Sequence, residues 1–155
     1  MKTSITFRLA LRYAVLPVSV LLVSACAGYM QPVSAIDLDG MHEVPAVTTT
    51  AGGHGEISVA ADHSVSGSIN VSGMSATMAH IHLGAMGKNG PVIIPLTKSS
   101  ESSFVVPAGA KLNDSQYETY MAGGLYVNVH SAAHPGGEIR AQLLPPAMAP
   151  ARTGY

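Results

Sequence analysis

The segment 78–84, Met-Ala-His-Ile-His-Leu-Gly, alternates apolar and polar side chains in the period of a β-strand. Because successive side chains of a strand point to opposite faces of its sheet, His80 and His82 share one face while Ile81 lies on the other. The segment 125–130, Leu-Tyr-Val-Asn-Val-His, repeats the arrangement with Asn and His on its polar face. An apolar strand face needs a second layer to bury it. The alternation therefore predicts a layered β-protein that carries histidines on a sheet face.

The rest of the chain between about 33 and 144 consists of short strand-like segments broken by Gly, Pro, Asn and Asp. Strands are predicted over 55–59, 65–71, 77–83, 92–96, 102–106, 125–130 and 138–144. One short helix interrupts them: Asn113 is placed to cap it, Gln116 completes a capping box, and Gly123 ends it in a left-handed conformation. Many short strands at this spacing favour an all-β fold, either an antiparallel sandwich or a partly closed barrel.

The N-terminus is predicted to be a targeting segment. Three basic residues precede a short apolar run over 13–23, and small residues then lead to Cys26. This pattern resembles a bacterial lipobox, in which the cysteine is acylated and begins the mature protein; an ordinary signal peptide with a free thiol is the alternative. Ala27 resembles the sorting signal for the outer membrane. We expect residues 1–25 to be a lipoprotein signal peptide, residues 26–33 an anchor linker, and the lipid anchor to hold the protein at the bacterial cell envelope, facing periplasm or exterior.

Composition limits the remaining classes. The 8 Lys+Arg against 9 Asp+Glu are unlike a nucleic-acid-binding surface. The single cysteine excludes an internal disulfide. The proline-rich end 146–155 is predicted to be a disordered tail, which leaves a single domain over 34–145.

Five blocks of sequence resemble the CHRD domain, a module named for chordin that also occurs in bacterial secreted proteins. The blocks occur in the family's order over 38–45, 79–84, 89–92, 126–130 and 134–143. His42 stands where the family commonly has Asn or Gln, and Ala141 replaces a Gly. The resemblance implies an antiparallel Ig-like or superoxide-dismutase-like β-sandwich. In chordin the module belongs to an extracellular antagonist of growth factors, so the resemblance does not supply an activity for a bacterial lipoprotein.

The histidines are the candidate functional residues. Imidazole is the commonest protein ligand of copper and zinc, and a site built from histidine without cysteine suits either ion. His80, His82 and His130 are the predicted ligands, and His134 and His42 are further candidates. Thioethers near the same blocks would favour Cu(I), although ordinary core and loop packing is the favoured explanation for them; they belong to Met41, Met74, Met78, Met86 and Met121.

Three functions follow from these observations. The first is an envelope-anchored lipoprotein that binds copper or zinc for sequestration or homeostasis. The second is a non-catalytic structural or interaction module of the envelope, with an unidentified protein partner and with its histidines in internal hydrogen bonds. The third is a redox enzyme, because His-x-His on a sandwich is loosely similar to the copper ligands of copper–zinc superoxide dismutases. Catalysis is the less favoured class, since no serine lies in a Gly-x-Ser-x-Gly turn and the single cysteine lies in the predicted anchor.

Overall fold

Nine β-strands form in residues 33–146, the part of the chain that the computed structural model describes. The strands are β1 (Val33–Leu38), β2 (Gly52–Val59), β3 (Val65–Ser72), β4 (Ala76–Leu83), β5 (Val92–Pro95), β6 (Thr97–Ser100), β7 (Ser103–Val105), β8 (Leu125–Ser131) and β9 (Ile139–Leu143). A 3₁₀ turn (Gly40–His42) follows β1, and helix α1 (Asp114–Met121) precedes β8. The predicted signal peptide, Cys26 and the tail from 147 onward lie outside the described residues. Within the described range, no helix has the length and apolarity needed to cross a bilayer.

The strands form two antiparallel sheets, with the orders β1-β2-β3-β7-β6 and β5-β4-β8-β9. One apolar core joins their facing sides: Ile57, Ile69 and Phe104 from the five-stranded sheet belong to the same cluster as Ile81 and Val127 from the four-stranded sheet. These side chains are at most 1% exposed. The predicted antiparallel sandwich with one short helix is therefore confirmed, and the outer face of each sheet is the side turned away from this core.

The local predictions agree with most of these elements. The hairpin of β2 and β3 is present, and α1 begins with the predicted capping box of Asn113 and Gln116. Gly123 has a φ of 73° directly after the helix, in the left-handed region that glycine tolerates. Strands β1 and β6 were not predicted. All four residues of β6 are polar and exposed, so it has no alternation to detect, whereas β1 does alternate, with Ile36 and Leu38 buried.

The register of the four-stranded sheet fixes which side chains meet on its outer face. His82 of β4 pairs with Tyr126 of β8, and the next pair on that face is His80 with Asn128. On the other side of β8, Asn128 pairs with Arg140 of β9. Directly opposed residues of an antiparallel pair lie close enough for their side chains to interact. The polar faces of three neighbouring strands are thus brought side by side.

Candidate metal centre

Three histidines converge on the outer face of the four-stranded sheet. His80 and His82 come from β4 and His130 from β8, and one ligating nitrogen from each lies within 4.8 Å of the others. The strand period produces this placement, because Ala79 and Ile81 alternate with the two β4 histidines and are buried in the core. His82 and His130 are 7% and 6% exposed, and His80 is half-buried. The sequence prediction that these three residues lie together is confirmed.

The ring of His82 has a fixed tautomer. Its Nδ1 lies 3.0 Å from the carbonyl oxygen of Gly90. A carbonyl oxygen only accepts hydrogen bonds, so Nδ1 carries the proton and Nε2 has a free lone pair in the neutral ring. That Nε2 is buried and has no hydrogen-bond partner. A buried polar atom without a partner is unusual in a folded protein and marks a place where an ion or a water molecule is expected.

His130 is oriented by the same device. Its Nδ1 donates to the carbonyl oxygen of Pro135 at 2.9 Å, which leaves the lone pair on Nε2. Carbonyl groups that hold the second ring nitrogen in this way are the usual outer partners of metal-binding histidines. Two of the three rings therefore present an unprotonated Nε2 to the site.

His80 completes the group through a hydrogen bond to His130. Its Nδ1 lies 3.0 Å from Nε2 of His130, and since that nitrogen accepts, His80 donates. At metal–nitrogen bond lengths of roughly 2.0–2.1 Å, two ligand nitrogens stand about 2.8–3.4 Å apart for bond angles near 90–110°. The observed separation falls in that range. The two nitrogens suit a shared ion once the His80 proton leaves Nδ1.

Burial favours the neutral rings that bind metal ions. Burial lowers the pKa of His80, and the neighbouring His130 and His82 lower it further. Burial also lowers the pKa of His130, while the carbonyl of Pro135 opposes this and His82 adds to it. A histidine must be neutral to offer its lone pair, so a lowered pKa extends the metal-competent form to lower pH.

A row of stacked side chains crosses three strands beside the triad. The ring of Tyr126 lies parallel to that of His82, with centroids 4.7 Å apart and an interplanar angle of 10°. The guanidinium of Arg140 lies 3.5 Å from the centre of the Tyr126 ring. The Tyr126 hydroxyl accepts a hydrogen bond from the backbone N–H of Gly90 at 3.2 Å. Tyr126 thus contacts both a candidate ligand and the residue whose carbonyl orients that ligand.

Arg140 fixes the loop between β4 and β5, residues 84–91. It is 1% exposed and donates to the carbonyls of Ala85 and Lys88 and to Oδ1 of Asn89. The same loop carries Gly90, where a Cβ would lie 1.7 Å from the carbonyl oxygen of Leu83. Only glycine fits this close approach. The position of the Gly90 carbonyl, and with it the tautomer of His82, therefore depends on Arg140.

A buried carboxyl group interacts electrostatically with Arg140. Glu43 is 6% exposed, and burial raises its pKa, while the charge of Arg140 and a hydrogen bond with Asn128 act in the opposite direction. A Cβ at Gly137 would lie 2.5 Å from Oε1 of Glu43, so the loop between β8 and β9, residues 132–138, closes tightly over this carboxyl group. Loops therefore cover the outer face of this sheet with polar groups that contact one another.

The structure does not bring the two further candidates into the triad. The ring of His42 pairs with Asp39, 2.8 Å away, and its side chain is 57% exposed. His134 lies in the 132–138 loop, where its ring interacts electrostatically with Glu138. Neither histidine belongs to the group whose ligating atoms lie within 4.8 Å.

Sequence reasoning missed the residues that orient the triad. Gly90, Tyr126, Pro135 and Arg140 received no role in the sequence prediction. All four lie in blocks that resembled the CHRD domain, and these blocks, far apart in the chain, meet around the histidines. Their place in these blocks was the one sequence signal that could have pointed to them.

Comparison with known proteins gives one match. The family model of the CHRD domain matches residues 34–143, which is nearly all of the described range. No curated protein and no solved structure matches the chain significantly.

Proposed function

The chain belongs to the CHRD domain family, and from this premise we propose that it binds a transition metal ion, copper or zinc, through His80, His82 and His130. Family membership fixes the fold and leaves the ligand open, because one fold hosts many functions. The proposal is therefore argued from the site itself.

The observation that carries the proposal is the buried, unpartnered Nε2 of His82 next to two other imidazoles. A purely structural role explains the hydrogen bonds of His82 to Gly90, of His130 to Pro135 and of His80 to His130. It leaves the lone pair of His82 buried without a partner, at a cost of about 1–3 kcal/mol. An ion bound at that lone pair removes this cost.

The donor set favours zinc or copper. Three neutral imidazoles suit these ions, whereas calcium and magnesium prefer oxygen ligands. Three protein ligands leave a fourth position open, as in zinc sites that exchange a ligand. Since His80 is half-buried, the site borders solvent and an ion reaches it without unfolding the domain. These features support capture and release of an ion, which is the chemistry of sequestration or homeostasis.

The test is a titration of the purified mature protein with Cu(II), Cu(I) and Zn(II). We expect one ion per chain for the wild type, and a loss of affinity of roughly 100-fold or more for the His80→Ala/His82→Ala variant. The matched control is His54→Ala, which removes an exposed histidine from β2. Circular dichroism verifies that each variant is folded. A folded double variant that binds like the wild type, or a wild type that binds none of the ions, would contradict the proposal and leave the structural role as the better explanation.

We also propose that acylation of Cys26 anchors this domain at the bacterial outer membrane, facing periplasm or exterior. The support is the lipobox-like sequence before Cys26 and the Ala that follows it. Metabolic labelling with a radioactive fatty acid, followed by membrane fractionation, tests the anchor. We expect the label and the membrane association to disappear in Cys26→Ser, and persistence of both would refute it.

A further inference from the structure

Met78 lies beside the three histidines on the outer face of the four-stranded sheet. It stands two residues before His80 on β4 and pairs directly with His130 of β8. Residues i and i+2 of a strand share a face, and directly opposed residues have Cβ atoms about 4.5–5.5 Å apart. Met78 therefore neighbours two of the three candidate ligands at once.

A β-bulge places Met78 on this face. Ala76 pairs with Ser131 and Met78 with His130, so two steps along β4 match a single step along β8. The extra residue is Thr77, whose hydroxyl donates to the carbonyl oxygen of His130 at 3.1 Å. Without the bulge, the alternation that begins with the buried Ala76 would turn Met78 toward the core. Bulges that redirect a side chain are frequent next to functional sites.

The other methionines of residues 33–146 do not share this position. Met41 lies in the 3₁₀ turn, Met86 in the 84–91 loop and Met121 in α1, while Met74 packs against the core. Met78 is 46% exposed, although its directly opposed neighbour His130 is only 6% exposed. A flexible, unbranched thioether that water reaches, at the open side of a three-histidine group, is free to turn over that group.

We propose that Met78 supplies a thioether ligand to Cu(I) at the triad and so makes the site selective for Cu(I) over zinc. This inference rests on the proposed metal-binding function. Thioether sulfur is a soft donor that Cu(I) accepts, whereas zinc is held by imidazole, thiolate and carboxylate. The open fourth position of the triad is then filled by sulfur for one ion and by water for the other.

The experiment compares the mature wild-type protein with Met78→Leu, a substitution that conserves volume and removes the sulfur donor. Cu(I) affinity is measured anaerobically by competition with a chromophoric chelator, and Zn(II) affinity by a matched competition. We expect Met78→Leu to weaken Cu(I) binding on the order of tenfold or more and to leave Zn(II) binding within about threefold. The matched control is Met121→Leu, because Met121 is 47% exposed and lies in α1, and it leaves both affinities unchanged.

X-ray absorption of the Cu(I)-loaded wild type gives a second readout that needs no variant. We expect a sulfur scatterer in addition to nitrogen, absent from loaded Met78→Leu. Cu(I) bound by nitrogen alone, with equal affinity in Met78→Leu, overturns the role of Met78 and leaves the triad intact. A wild type that binds no metal at all overturns the proposed function and this inference together, so the two failures are distinguishable.

Discussion

The outer faces of the two sheets carry similar polar side chains but differ in solvent exposure. On the five-stranded sheet, His54 and Glu56 alternate along β2 and are exposed. On the four-stranded sheet, His82 and His130 occupy equivalent outward positions and are 7% and 6% exposed. The difference lies in the loops, because the 84–91 and 132–138 loops fold over the second face and hydrogen bond to its rings. The strand period determines which face of the sheet a side chain occupies, and the loops determine whether that face is exposed to solvent.

When loops cover a polar face, the loss of any one of its hydrogen bonds lowers the stability of the fold. On the exposed face, water replaces any partner that is lost. On the covered face, a lost partner leaves a buried group unsatisfied, at a cost of about 1–3 kcal/mol. The two faces therefore differ in their response to substitution, and we expect the largest responses where the loops are fixed.

Arg140→Met is expected to give the largest effect. It removes a buried donor from the carbonyls of Ala85 and Lys88 and removes the positive charge that acts on Glu43. Removing one partner from such a buried network costs roughly 3–5 kcal/mol. The free energy of unfolding, from urea titration of the metal-free protein, measures this. The control on the open face is Glu56→Gln, for which we expect a change within about 0.5 kcal/mol. Equal losses of unfolding free energy in the two variants would show that the two faces respond alike to substitution.

Gly90→Ala is expected to come next. The new Cβ would lie 1.7 Å from the carbonyl oxygen of Leu83, so the backbone of the loop must shift. Overpacking of this kind costs about 1–3 kcal/mol, and the displaced Gly90 carbonyl no longer holds Nδ1 of His82. We expect both stability and metal affinity to fall. The control is Gly136→Ala, where a Cβ meets nothing within 4 Å and both quantities stay unchanged. Unchanged metal affinity in a destabilised Gly90→Ala would mean that the carbonyl does not orient the ligand.

Tyr126→Phe is a milder way to loosen the same cover. It keeps the ring that stacks between His82 and Arg140 and removes the hydroxyl that accepts from the N–H of Gly90. One lost hydrogen bond corresponds to about 1 kcal/mol of unfolding free energy. Thermal unfolding measures this loss of stability, and a Zn(II) titration measures the loss of metal affinity that accompanies it. Tyr117→Phe, on α1, is the control and is expected to leave Zn(II) affinity unchanged; a matching loss of affinity there would assign the effect to general loosening.

Whether a feature of the fold or of the site was predictable depends on whether its contacts join residues close in sequence or far apart. The two faces of β4, the hairpin of β2 and β3 and the capped helix depend on residues close in sequence, so periodicity and turn chemistry predicted them. The association of His80 and His82 with His130 was predicted as well, because two strands with the same pattern were assumed to be neighbours. That assumption is correct in the β4–β8 register.

The cover of the triad was not predicted, since it depends on loops that return from distant parts of the chain. Nothing in the sequence near Gly90 indicates that its carbonyl reaches His82, and nothing near Arg140 indicates that a charged side chain is buried there. The same limitation affects His134, whose loop does return to the site and delivers the carbonyl of Pro135 instead of a ring nitrogen. The bulge at Thr77, which breaks the alternation between the buried Ala76 and Met78, was likewise not predicted.

The smallest expected effect is a pH dependence of stability in the metal-free protein. Burial lowers the pKa of His80 and of His130. Their rings therefore bind protons less readily in the folded state than in the unfolded chain, where the pKa is about 6.5. The stability that these two histidines contribute is therefore fully present above this value and is lost as the pH falls through their lowered pKa values. Urea unfolding at a series of pH values between neutral and mildly acidic measures the slope.

The decisive comparison is between wild type and the His80→Gln/His130→Gln variant. Burial raises the pKa of Glu43, so this carboxyl group contributes with the opposite sign, losing stability as the pH rises from about 4.5 through its folded pKa. Glu43 is present in both proteins, and its contribution largely cancels in the difference between their slopes. We expect a steeper acid loss in the wild type, and saturating Zn(II) should steepen it further because protons and the ion compete for the same nitrogens. The three samples are the wild type, the double variant and the wild type saturated with Zn(II). Parallel slopes of unfolding free energy against pH in all three would mean that the covered face protects its histidines from protonation no more than the open face does.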